Sequence, residues 1–131
     1  MRTINQAGIR SLGVAASPAD VHAYLSDAGN LPAWAPGFAP RISPSGSSWL
    51  VTRDDGEFTI DVVAEPRSRA VDFVSASDHA RGLFARVLPN GDGSEVVFTL
   101  LFAPDTPQDV VATQVLTLET ELAAVRDACE Q

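Results

Sequence analysis

The most regular pattern in the chain lies near its C-terminus, where Val111, Val115, Leu118, Leu122, Val125 and Cys129 recur at steps of four and three. That spacing places them on one stripe of a helix about five turns long. Thr113, Gln114, Glu119, Glu121 and Asp127 fall off the stripe and are expected on the solvent side. Just upstream, Thr106-Pro107-Gln108-Asp109 reads as an N-cap followed by proline at the first helical position.

The middle of the chain, from about 41 to 103, has a different period: short apolar runs broken by turn residues. The breaks fall at Pro44-Ser45-Gly46, Asp54-Asp55-Gly56, Glu65-Pro66-Arg67-Ser68, Asp78-His79 and Asn90-Gly91-Asp92-Gly93. Such short connections predict consecutive antiparallel hairpins. Before them, residues 9–16 read as a first strand. Ser17-Pro18-Ala19-Asp20 then caps a short helix over about 18–27. Asn30-Leu31-Pro32-Ala33-Trp34-Ala35-Pro36 is too proline-broken for more than a single turn or a lid. The order is strand, short helical segment, about six strands, long helix. This is an α+β domain in which a meander buries the stripe of one long helix.

Alternation sorts the strand residues onto two faces. With Asp55-Gly56 as a two-residue turn, Arg53 opposes Phe58, Val51 opposes Ile60 and Trp49 opposes Val62. Carried through the loop after Pro66, Ala64 opposes Val71, Val62 opposes Phe73 and Ile60 opposes Ser75. A three-residue turn Asp78-His79-Ala80 then pairs Ser77 with Arg81, Ser75 with Leu83 and Phe73 with Ala85. In the last strand Val96, Phe98, Leu100 and Phe102 share one side. The inward face is almost wholly apolar. Arg53, Arg81 and Ser77 are its polar exceptions, grouped at the end shared by the turns near 54 and 78 and the Pro104–Pro107 loop. Phe84, Leu50, Val74, Val97 and Leu101 point outward, which is more apolar surface than a solvated face needs and suggests a homodimer or another protein partner.

Composition narrows the function classes. The chain has 131 residues, a single domain's length, and a formal net charge of −8. That charge argues against nucleic acid and anionic membranes as partners. All nine positive side chains are arginine, as in proteins of high-GC bacteria. One cysteine, Cys129, cannot form an internal disulfide, so a reducing compartment is expected. Met1-Arg2-Thr3-Ile4-Asn5-Gln6 has no apolar run of signal-peptide type, and no stretch reaches the roughly 18 apolar residues of a membrane span. The expectation is a cytoplasmic protein without membrane insertion.

Taken together, several strings resemble the START-like superfamily, also called SRPBCC, with polyketide cyclases and the birch pollen allergen as relatives. They are Ala16-Ser17-Pro18-Ala19-Asp20-Val21, Leu31-Pro32-Ala33-Trp34-Ala35-Pro36-Gly37, the hairpin Leu88-Pro89-Asn90-Gly91-Asp92-Gly93-Ser94-Glu95-Val96, and the long final helix. The resemblance covers nearly the whole chain. It implies a helix-grip fold, a curved antiparallel sheet of about seven strands around the C-terminal helix, with a cavity between them. It carries over no catalytic motif.

The expected lining of that cavity is Trp34, Phe38, Trp49, Val51, Arg53, Phe58, Ile60, Phe73, Ser75, Ser77, Arg81, Leu83, Phe98, Leu100 and Phe102, with Val115 and Leu118 from the helix. The partner this suggests is a small hydrophobic molecule, with Arg53 and Arg81 matching an acidic group on it. The competing role for each arginine is pairing with Asp54, Asp55, Asp78 or Asp105. An enzyme of the polyketide cyclase or dehydratase type is the alternative. Its base would be His79, with Arg81 to stabilise an enolate, although a histidine in a turn is more often idle. An interaction module using the outer face is the second alternative. No cofactor is expected: there is no Gly-rich phosphate loop after a strand. No metal is expected either, because adjacent aspartates in turns serve turn chemistry.

Overall fold

The computed structural model describes residues 2–131. β1 (Gln6–Val14) leads into α1 (Pro18–Ser26), a 3-10 turn (Ala28–Asn30) and the single turn α2 (Leu31–Trp34). Six strands follow: β2 (Arg41–Ser45), β3 (Ser48–Arg53), β4 (Gly56–Glu65), β5 (Ala70–Ser75), β6 (Asp78–Asn90) and β7 (Gly93–Phe102). The 22-residue α3 (Gln108–Cys129) closes the chain. The seven strands form one antiparallel sheet in the order β1-β7-β6-β5-β4-β3-β2, a meander with β1 added beside β7. This is the helix-grip arrangement. No helix is long and apolar enough to cross a membrane.

Local chemistry explains the boundaries. Ser17 Oγ accepts from the Asp20 amide at 3.1 Å and Pro18 occupies the first helical position of α1. α3 starts one residue later than the sequence suggests: Pro107 holds the N-cap position and supplies no side-chain cap, so Thr106 does not play that part. The approach to α3 is held from β1 instead. Gln6 Nε2 donates to the Ala103, Pro104 and Thr106 carbonyls, and Gln6 Oε1 accepts from Gln108 Nε2 at 2.7 Å.

Two turns differ from expectation. The β3–β4 turn is Asp54-Asp55, so Arg53 pairs with Gly56 and Val51 with Phe58. The slip is two residues, and with a side-chain period of two every residue keeps its face. From β4 to β5 the register is as expected, with Ala64 opposite Val71, Val62 opposite Phe73 and Ile60 opposite Ser75. The β5–β6 turn is Ala76-Ser77, not Asp78-His79-Ala80. Ser75 pairs with Asp78, while Val74 already pairs with Gly82, so His79, Ala80 and Arg81 bulge out of the ladder. Beyond the bulge Phe73 opposes Leu83 and Val71 opposes Ala85, and the inward parity resumes.

Trp34 sits at the centre of the core, 1% exposed, with its ring 5.3 Å from that of Phe73 and 5.5 Å from that of Phe98. α1 contributes Val21 and Leu25. His22 is buried beside them and shares a 3.2 Å hydrogen bond through Nε2 with the Ala70 carbonyl, a packing role. Of the outward apolar residues, Phe84, Leu50 and Val97 are half-buried and Leu101 is exposed. Val74 is fully buried, because its cross-strand neighbours bring the bulge and the Asp61–His79 pair over it.

Candidate functional site

The concave face of the sheet is unevenly covered. At one end Val71, Ala85, Val87, Val96 and Phe98 are sealed beneath Trp34, α1 and the C-terminal half of α3. At the other end Ser75, Leu83, Leu100 and Phe102 are only half-buried, and Phe58 is 36% exposed. This is the end where the β3–β4 turn, the β5–β6 turn and the β7–α3 loop meet, as the meander requires. α3 shows the same gradient: Leu118, Leu122 and Val125 are buried, Val115 nearly so, while Val111 is half-buried and residues 108–110 and 112–114 are exposed. The helix is seated closely against β1 only because Gly8 has no side chain; a Cβ there would lie 2.8 Å from Val115 Cγ2. Beside it Arg10 reaches Glu119 at 3.5 Å.

Of the two expected rim arginines, Arg53 takes the competing role of pairing with a turn aspartate and Arg81 does not. Arg53 Nε bonds Asp55 Oδ1 at 3.2 Å, and Arg53 Nη1 donates to the Phe38 carbonyl at 3.3 Å. Arg53 therefore ties the segment after α2 to the β3–β4 turn. Phe38 packs its ring 5.5 Å from Phe58. Next to them an open groove of about 340 Å³ is lined by Pro36, Gly37, Pro40, Arg41, Arg53, Asp54 and Asp55, with Arg41 paired to Asp54 at 3.5 Å. Arg81 is exposed on the bulge and, among the described residues, bonds neither Arg53's partners nor any acid. Ser75 and Ser77 share a 3.0 Å hydrogen bond between hydroxyls.

His79 is carried to the convex side. Its Nε2 lies 2.6 Å from Asp61 Oδ2, and Asp61 alternates with the inward Ile60 and Val62. Ser48 Oγ donates to the other carboxylate oxygen at 2.5 Å. These bonds hold the Asp61 carboxyl below its ordinary value, Ser48 first and His79 second. The order Ser–Asp–His leaves no base on the serine, so the trio is not a nucleophilic relay. It anchors the bulge to β4.

The concave side also holds polar groups that alternation does not flag. Glu121, expected on the solvent side of α3, is 8% exposed, and burial alone pushes its carboxyl up to about 7. The Trp34 Nε1 donor is fully buried and has no acceptor among the described residues. Glu121 was legible only as a charged residue flanking the stripe by three residues from Leu118. Nothing in the sequence shows that this flank of α3 becomes buried. Cys129 is half-buried, with its thiol pushed up by burial and by nearby Asp20 and Glu130, which makes it a poor nucleophile. Among the described residues no group of acids, histidines and cysteine is placed to hold a metal ion.

No protein-family model matches the sequence, and no curated protein matches it. Solved structures do match the fold. The chain is similar to an Aha1 dimer from Colwellia psychrerythraea, at 20% identity, 95% of this chain, 96% of that one and a TM-score of 0.74. It is similar to a START superfamily protein from Mycobacterium smegmatis, at 19% identity, 95% and 97% coverage and a TM-score of 0.68. It is also similar to Ara h 8.0201, at 9% identity, 95% and 97% coverage and a TM-score of 0.58.

Proposed function

We propose that the protein binds a small apolar organic molecule in the cleft between the open end of the concave face and the N-terminal half of α3. The observation that carries this reading is the burial gradient along β6 and β7: Leu83, Leu100 and Phe102 face the grip yet stay partly in water, while Ala85, Val87, Val96 and Phe98 on the same strands are sealed, and Phe58 of β4 is exposed beside the open end. A ligand covering them gains about 25 cal/mol per Å² of apolar area, less the cost of ordering. The START-like fold is consistent with such a role. The homodimer suggested by the outer face is a separate proposal, which sedimentation equilibrium tests directly.

Native mass spectrometry of freshly purified protein, followed by denaturation, tests the binding reading. An apolar compound released on denaturation supports it. A clean mass, together with unmoved resonances of Phe58, Leu83, Leu100 and Phe102 on titration with apolar probes, counts against it.

A further inference from the structure

The two edges of the sheet, β1 and β2, are not alike. The two-residue turn Gly91-Asp92 makes Asn90 and Gly93 a hydrogen-bonded pair, so Gly93, Glu95, Val97 and Thr99 bond to β6. The alternate residues of β7 therefore bond to β1, where they meet Val14, Leu12, Arg10, Gly8 and Gln6. That leaves Ala7, Ile9, Ser11 and Gly13 with their N–H and C=O groups turned away from the sheet. None of these four N–H groups has a partner among the described residues. At the other edge the turn Gly46-Ser47 sets Pro44 outward, where it has no N–H to offer. β1 has nine residues and no proline.

Along this open edge a groove of about 470 Å³ runs between β1 and α3. Its wall is Val111, Ala112, Val115 and Leu116 with Ile9, and Leu116 is 63% and Ile9 52% exposed. Gln108 lies at one end and the Arg10–Glu119 pair at the other. We propose that this edge docks an extended basic segment of a partner protein, which adds an antiparallel strand beside β1 and sets alternate apolar side chains into the groove.

A second copy of the chain does not fit there. α3 follows β1 over its whole length, from Gln6–Gln108 through Gly8–Val115 and Arg10–Glu119 to Ala15–Glu130. Two β1 strands paired edge to edge would lie about 4.8 Å apart with both copies of α3 on one face, whereas packed helices need about 8–10 Å. A single extended segment brings no helix with it. The charge of that segment follows from its surroundings. The chain carries −8, and Arg10 is already matched by Glu119. The Glu95 carboxylate lies over Gly13, whose missing side chain leaves it open to a cation from the added strand. Arg10 Nη1 covers the Ile9 carbonyl at 2.8 Å, but its side chain is 49% exposed and can swing aside.

NMR titration with the capped peptide KVKVKVK tests this. Residues opposite Ala7, Ile9, Ser11 and Gly13 carry the bonding amides and point away from the groove; these are the lysines, and the valines enter the groove. The amide resonances of those four residues and of Leu116 should shift. N-methylation of the lysine amides should weaken binding about tenfold or more, and N-methylation of the valine amides less than about threefold. EVEVEVE should bind about tenfold more weakly. Ile9→Pro, which removes an N–H that the sheet does not use, and Leu116→Asn should each weaken KVKVKVK about fivefold. Thermal melts check that both variants fold; should Ile9→Pro fail, Leu116→Asn and the two N-methylated peptides decide. Equal loss on both N-methylations overturns strand addition. Equal binding of EVEVEVE overturns the basic class. A dimer that Ile9→Pro dissociates overturns the choice of occupant. No shift along β1 at about 1 mM peptide overturns the site.

Discussion

His79 Nε2 sits 2.6 Å from Asp61 Oδ2, so a residue bulged out of β6 is fastened to β4 across the intervening β5. A carboxylate only accepts, which makes the imidazole the donor. Because hydrogen bonds favour the ionised acid, Asp61 titrates below its ordinary 3.8. A lowered acid adds stability that is fully present above 3.8 and is lost as pH falls through the folded value. In an NMR titration of the side-chain carboxyls, Ser48→Ala should raise the Asp61 midpoint more than His79→Ala does. The reverse order would show that the imidazole dominates.

Gly82 faces Val74 at the point where the bulge rejoins the ladder. A Cβ there would lie 2.1 Å from the Phe73 carbonyl oxygen and 2.7 Å from Val74 Cα, both backbone atoms that cannot step aside. Gly82→Ala should therefore cost about 2–4 kcal/mol in denaturant unfolding, as strained or overpacked sites do. A loss below about 0.5 kcal/mol, typical of a free surface site, would mean that the bulge is not seated as described.

Gly8 tests the grip itself. Gly8→Val brings a branched side chain against Val115 and Phe102, which are side chains able to give way. The expected cost is about 1–3 kcal/mol, with α3 displaced from β1. Amide exchange should quicken first in the N-terminal half of α3, already the less covered half. Uniform quickening along the helix would contradict that picture.

Glu121 gives stability a second pH dependence, of opposite sign to that of Asp61. Its folded value, about 7, lies above its ordinary 4.5, so the native state holds more protons between those limits. Stability should fall as pH rises from 4.5 towards 7, by up to about 3 kcal/mol, and be lower above 7. Glu121→Gln should flatten this slope and stabilise the protein at pH 8. Chemical denaturation at several pH values measures it; an unchanged slope in the variant would place the dependence elsewhere.

What the sequence determined by itself follows from periodicity. The four-and-three stripe places α3, the short polar breaks place the meander, and alternation assigns Val51, Ile60, Phe73, Phe98 and their neighbours to one face. Those assignments survive the mistaken Asp55-Gly56 turn because its slip is an even number of residues. What escapes periodicity is contact between elements far apart in the chain. Whether Arg53 meets a ligand or Asp55 depends on a rotamer, and whether His79 faces inward depends on a bulge that no residue pattern marks. Glu121 reads as a solvated flank until tertiary packing buries it, and Trp34 reads as cavity lining until Phe73 and Phe98 close around its ring. Local pattern decides which elements form and which way they face; only the packing of α1, α2 and α3 on the sheet decides which end of the concave face is sealed and which is left open.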